Sequence, residues 1–156
     1  MINDKFKIET ALKDKKRVFF LKGTIDEDTT FDAVLQGEGE IHLNFSGVTG
    51  INSLGIRTWV NFMKELAGKQ VFYEECPPVI VRQMNMIPSF VGHAKVVSVF
   101  APYVCEDCDQ EKLVLINEQS LSQTEVELPK SFVCESCGKG EMELDGHPKQ
   151  YFAFKR

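Results

Sequence analysis

The sequence predicts an α/β protein: a small mixed sheet with helices on one face, followed by a small β-rich module. Three observations carry that prediction. Through the first hundred residues, runs rich in β-branched and aromatic side chains alternate with segments of helical period. At Ser53 the apolar period changes from two to three and four. Two Cys-x-x-Cys pairs, separated by 25 residues, then occupy a C-terminal stretch with few large apolar side chains. A chain of 156 residues, 43% hydrophobic and 26% charged, suits one core with a small appendage.

Taken in order, residues 6–12 and 17–22 read as the strands of a hairpin around the polar turn Lys13-Asp14-Lys15-Lys16, ended by Gly23. Asp26-Glu27-Asp28-Thr29 precedes Phe31, Val34 and Leu35, whose spacing predicts a short helix with acid at its positive end, closed by Gly37 and Gly39. Ile41, Leu43 and Phe45 alternate with Glu40, His42 and Asn44, which predicts a strand with one buried face. From Ser53 onward Ile56, Trp59, Val60, Met63, Leu66 and Ala67 form one helical stripe, with Gly68 as its C-cap. Residues 70–73 read as a strand, Pro78 opens a helix that ends at Ile87-Pro88, and residues 95–100 form a last strand. Met84 and Met86, at that helix end, read first as core packing, with a soft partner surface as the other reading.

Ala101-Pro102 marks the boundary, giving domains 1–101 and 102–156, although Tyr103-Val104 can carry the last strand into the first cysteine pair. The second segment has too little apolar material to fold by burial alone. Cys105-x-x-Cys108 and Cys134-x-x-Cys137-Gly138 supply what it lacks. Each turn lets two sulfurs converge, and four soft thiolates complete a tetrahedron around one ion at roughly 2.3 Å. Tyr103-Val104 and Phe132-Val133 read as strands leading into the turns; residues 112–117 predict another strand and 123–128 a weaker one. These are the parts of a zinc ribbon with one structural Zn²⁺. A redox pair uses a single such motif at a strand-to-helix junction, an iron–sulfur cluster is a further use of four cysteines, and a catalytic zinc keeps an open position. His147, in Gly146-His147-Pro148, reads as a surface turn residue, and His42 and His93 show no partner in sequence. Cys76, left over, reads as a buried strand-end thiol.

The net charge is -5, and residues 1–100 hold 12 basic and 12 acidic side chains while residues 101–156 hold 6 and 11. All of the excess acidity is therefore C-terminal, and a tetrathiolate zinc would add about two negative charges there. A phosphate backbone is repelled by that surface, which argues against nucleic acid as a partner. No apolar run approaches the roughly 20 residues that span a bilayer, and no secretion signal is visible, so the expectation is a cytoplasmic protein without membrane insertion. Gly47, Gly50 and Gly55 lack a following Gly-Lys-Ser/Thr, so no nucleotide loop is predicted.

The segment Asn44-Phe45-Ser46-Gly47-Val48-Thr49-Gly50-Ile51-Asn52-Ser53-Leu54-Gly55 leaves a strand, turns through glycines and enters a helix at Asn52 or Ser53, both good N-caps. Here residues 5–100 resemble the STAS domain, the sulphate-transporter and anti-sigma-factor-antagonist family, in which an Asp-Ser-Ser-Gly-type motif opens a helix after a strand. Gly23-Thr24-Ile25-Asp26 is similar to the family's Gly-x-Leu-Asp segment. Asn52 stands where the family usually has Asp, and Leu54 where it often has a second Ser. The resemblance implies that Ser53 occupies the position phosphorylated by an anti-sigma kinase, with Asn52, Leu54, Gly55 and Arg57 forming the partner-binding loop. Ser46 and Thr49 are turn residues first. With no nucleophile–base pair, open metal position or cofactor loop in view, the expected function is non-enzymatic regulation through a protein partner, an anti-sigma factor, a kinase-like protein or a complex subunit. Rival readings are a phosphorylation-independent scaffold in a signalling or lipid-transport complex, a redox or zinc sensor, and an enzyme of unseen type.

Overall fold

The computed structural model describes residues 5–14, 16–36 and 39–155; Lys15 and Gly37, named above, lie outside them. Strands β1 (Lys7–Lys13) and β2 (Lys16–Ile25) form the expected antiparallel hairpin, with Lys7 opposite Lys22 and Lys13 opposite Lys16. Asp14 turns the chain at a φ of 48°, a conformation its short polar side chain tolerates. Gly23 does not end β2. It takes a φ of 93° at a shift of register, and the strand continues to Ile25, which is fully buried.

The next strand is also longer than expected. β3 (Ile41–Ile51) pairs in parallel with β2 as far as Ile25 opposite Ile51, so residues 46–51 lie in the sheet and not in a glycine turn. Each strand gives the other's extension a ladder partner, information that neither segment carries alone. β4 (Val71–Glu74) and β5 (Lys95–Val96) complete a mixed sheet of order β1-β2-β3-β4-β5. Short helices α1 (Asp32–Leu35), α3 (Pro78–Met86) and α4 (Pro88–Val91), with the longer α2 (Ser53–Glu65), make the crossovers. Each crossover steps one strand in the same direction, and right-handed connections of that kind put their helices on one face. Phe31 before α1, Trp59 and Phe62 of α2 and Phe90 of α4 meet Phe45 and Tyr73 of the sheet in one aromatic cluster on that face.

Three expectations are corrected within this unit. Asp26 turns on itself, its carboxylate accepting from the Asp28 amide at 2.9 Å and the Thr29 hydroxyl at 3.2 Å, so only Asp32 lies in the first turn of α1. The buried stripe of α2 is Gly55, Trp59, Phe62, Met63 and Leu66, while Ala67 is exposed; the Phe62 ring, stacked 4.4 Å from Phe31, rotates the helix toward itself. Residues 41–45 of β3 are buried on both faces: His42 and Asn44 are closed over by Phe72, Glu40, Glu74 and Glu75 from the same sheet. His42 is thus not without partners, its two ring nitrogens lying 2.8 Å from Glu74 and 3.3 Å from Glu40.

The expected strand over 95–100 divides. Its start is β5, while β6 (Val99–Cys105) runs through residues 101 and 102 without a break and belongs to a second, antiparallel sheet. With β7 (Glu111–Ile116), β8 (Phe132–Val133) and β9 (Glu141–Leu144) the order is β7-β6-β9-β8. Backbone bonds between Cys76 and Phe100 (2.8 Å) and between Cys76 and Ser98 (3.1 Å) stitch the two sheets together, and one continuous core serves both. The strand expected over 123–128 does not form, because no neighbouring strand offers it a ladder; α5 (Glu118–Leu121) stands just before, capped by Asn117. Among the elements that escaped the sequence reading are α4, α5, β9, whose Glu141-Met142-Glu143-Leu144 is half acidic, and α6 (Pro148–Tyr151), after which Phe152 returns to the core. Among the described residues no helix is long and apolar enough to cross a membrane.

Candidate functional site

The two cysteine turns are carried by the second sheet. Cys105 ends β6 and Cys134 follows β8, so the strands place the first sulfur of each pair, and the turns that follow place Cys108 and Cys137. Both turns close alike, the Asp109 amide donating to the Cys105 carbonyl at 3.1 Å and the Gly138 amide to the Cys134 carbonyl at 2.8 Å. The residue fifth in each turn is left-handed: Asp109 at a φ of 59° and Gly138 at 70°.

The four sulfurs lie within 4.8 Å of one another, with Cys105 and Cys137 at 3.7 Å and Cys108 and Cys134 at 3.7 Å. An ion with four tetrahedral bonds of about 2.3 Å holds its sulfurs about 3.8 Å apart. The four thiols are therefore placed to hold one metal ion. Cys105 and Cys134 are buried, Cys137 is half-buried and Cys108 is exposed, and all five thiols of the chain are free. The Gly140 and Lys139 amides bring the Cys137 thiol down to about 7, with Gly140 N–H 3.3 Å from its sulfur, and amides at Cys137 and Ser136 lower Cys134. Cys108 moves the other way: although the Gln110 amide favours its thiolate, partial desolvation of its sulfur and the three neighbouring sulfurs push it up to about 12. A cluster of this kind keeps a proton until a cation replaces it.

Gly140 is part of the site although the sequence reading passed over it. A Cβ there would lie 2.3 Å from the Cys105 sulfur, so the backbone itself packs on the ligand. Its signal was present as a second glycine two residues after Gly138. Around the sulfurs stand acidic side chains; Glu106 is held above the usual carboxylate range chiefly by the charge of Glu143. His147 stays apart from the cluster and caps α6, its Nδ1 accepting from the Lys149 amide at 3.2 Å. Substituting Gly138 by Ala is expected to lower the unfolding free energy of the metal-loaded protein by about 1–2 kcal/mol, because the left-handed backbone then carries a Cβ. No atom lies within 4 Å of that Cβ, so metal content stays at one ion while the denaturation midpoint falls.

The second candidate is the start of α2. Asn52, not Ser53, is the cap: its side-chain oxygen accepts from the Gly55 amide at 2.7 Å, and its own amide reaches the Ile25 carbonyl at 3.3 Å. Its side-chain amide lies 3.4 Å from Glu27. Ser53 is exposed as the first helical residue, Leu54 is 52% exposed, and Arg57 is exposed one turn on. Gly55 is buried against β2, where a Cβ would come 2.2 Å from the Ile25 carbonyl oxygen. Asn52→Ala is expected to cost about 1 kcal/mol in a denaturant titration, whereas Ser53→Ala stays within about 0.5 kcal/mol of the parent.

The other singled-out residues have structural work. Ser46 donates its amide to the Asn44 side chain at 2.9 Å, and the Thr24 and Thr49 hydroxyls are 3.4 Å apart across the β2–β3 pair. Cys76 is buried, as expected, and its thiol is raised by burial first and by Glu74 second. His93 faces the Lys69 carbonyl at 3.0 Å. Met84 is core, while Met86 is 62% exposed. Compared with known proteins, the chain matches no family model and no curated protein.

Proposed function

We propose that the chain is a non-enzymatic regulatory protein whose N-terminal sheet is a STAS-type partner-binding unit, joined to a zinc ribbon in which one Zn²⁺ is structural. The observation that carries the reading is the division of labour at the start of α2. Asn52 supplies the cap, which leaves the Ser53 hydroxyl free for modification beside an exposed leucine and an exposed arginine.

A phosphate on Ser53 would meet the positive end of a 13-residue helix. It would also bring nearly two negative charges to a surface already carrying Glu27, so a partner docking over Leu54 would be repelled without refolding. The ribbon contributes rigidity and acidity rather than chemistry, since four thiolates fill a zinc ion's tetrahedron. Intact-mass and peptide mass spectrometry of the protein from its own cells tests the switch: a phosphate on Ser53 under some growth condition supports it. Phosphate absent under every condition, together with a partner that stays bound to Ser53→Glu, removes it and leaves an unmodified scaffold.

A further inference from the structure

The second sheet has an open edge, and the backbone of β6 shows which groups line it. The Asp145 amide donates to the Pro102 carbonyl at 2.8 Å, and Phe100 donates to Cys76 at 2.8 Å while its carbonyl accepts from the Tyr151 hydroxyl. Residues 100 and 102 therefore turn their backbone groups away from β7, and Pro102 has no N–H to give it. In an antiparallel ladder bonded and non-bonded pairs alternate. The pairs Pro102–Leu113 and Phe100–Leu115 are the non-bonded ones, so Leu113 and Leu115 direct their N–H and C=O groups outward, along the free side of an edge strand.

Edge strands are commonly blunted by proline, bulges or shortness. β7 has six residues in continuous register and contains no proline. Its outward residues also carry apolar side chains, 44% and 46% exposed, on one face of the sheet. Beside them the charge is one-sided. Asp107, Asp109 and Glu111 are exposed and, among the described residues, form no ion pair, while Lys112 is engaged with Glu135 at 3.6 Å and the Phe132 ring.

We propose that β7 accepts, as an added strand, an extended segment of another protein with apolar side chains at alternate positions and Lys or Arg at the end that lies beside Glu111. Main-chain bonds to residues 113 and 115 give affinity, and the two leucines and the unpaired acids select the segment. A second copy of the chain fits less well, since it would bring its own acidic edge, and six paired residues fall short of the roughly 800 Å² per partner of a stable interface. The inference is independent of the Ser53 reading.

The test titrates fluorescein-labelled Lys-Lys-Thr-Val-Thr-Val-Thr-Val-Lys-Lys, and the same peptide with Glu or Ser for Lys, into the full zinc-loaded chain. Saturable binding is expected, at least about tenfold tighter for the Lys peptide than for the Glu peptide. Leu113→Pro, which deletes an outward N–H that β6 does not use, should weaken it about fivefold beyond Leu113→Thr, the effect of about one hydrogen bond. Both variants should keep one zinc and the parent circular dichroism; should the proline variant not fold, the Lys-against-Glu comparison on the parent chain decides. No binding by any peptide, no preference for Lys, or equal effects of Pro and Thr would overturn the proposal. A concentration-dependent dimer in sedimentation that Leu113→Pro dissolves would also overturn it, in favour of self-pairing.

Discussion

Stripping the metal from the full chain is expected to unravel β8, β9 and the cysteine turns and to leave the first sheet standing. β8 has two residues and β9 four, too short to persist on ladder bonds alone, and two of the buried groups in this part of the core, Cys105 and Cys134, belong to the cysteine cluster placed to hold a metal. The free energy of zinc binding to such sites, about 10–16 kcal/mol near neutral pH, exceeds the whole stability of a small domain. The first sheet keeps its own aromatic cluster, in which Trp59 Nε1 donates to the Tyr73 hydroxyl at 2.9 Å, so Trp59 emission should stay that of a buried indole while strand signal in circular dichroism is lost. Cys134→Ser should behave like the chelated protein, and Gly140→Ala should lose metal although every ligand remains.

The sign of the pH dependence follows from the thiols. Metal binds the deprotonated sulfurs, so affinity is present at high pH and lost as pH falls. Because the neighbouring sulfurs hold the Cys108 thiol up while backbone amides bring Cys137 down, the free cluster keeps protons near neutral pH that loading must expel, and metal affinity should fall progressively as pH drops. Proton release on loading, read with an indicator dye, checks the first point.

Gly55→Ala should be the most damaging small substitution in the first sheet's unit. Its Cβ would stand 2.2 Å from the Ile25 carbonyl oxygen, 2.7 Å from the carbonyl carbon and 3.1 Å from the Asp26 Cα, all backbone atoms that cannot rotate away. Either the helix start lifts off β2 or β2 bends, at a cost of about 3 kcal/mol or more. The same movement breaks the bond from the Asn52 amide to Ile25, so hydrogen exchange at residues 52–56 should rise even in molecules that stay folded. Ser53→Ala, two residues earlier on the exposed side, serves as the control.

What the sequence made legible is whatever local chemistry decides. The hairpin, the helices opened by Asn52 and Pro78, and the cysteine turns each rest on residues within a few positions of one another. The misses all required knowledge of a neighbour. Residues 46–51 look like a glycine loop until β2 is seen to extend beside them, and 123–128 looks like a strand until it is found to have nothing to pair with. The division of residues 95–105 between two sheets depends on Cys76 bonding to Phe100, a contact between segments 24 residues apart in sequence. At the cysteine cluster the four converging residues were evident from spacing, but Gly140 was not, because its role is to leave room for a sulfur from the other turn. At the helix start, sequence offered Asn52 and Ser53 as equal caps, and only the 2.7 Å bond to Gly55 assigns the task to Asn52.

We propose that a protein partner meets this chain at the start of α2, while a metal ion would hold the cysteine turns together. Hydrogen exchange on the full zinc-loaded chain, alone and saturated with the partner recovered from its own cells, tests it most directly. New protection is expected at residues 50–58, absent for Ser53→Glu, with the cysteine turns unchanged. Protection confined to residues 105–109 and 134–140, with none at 50–58, would contradict it.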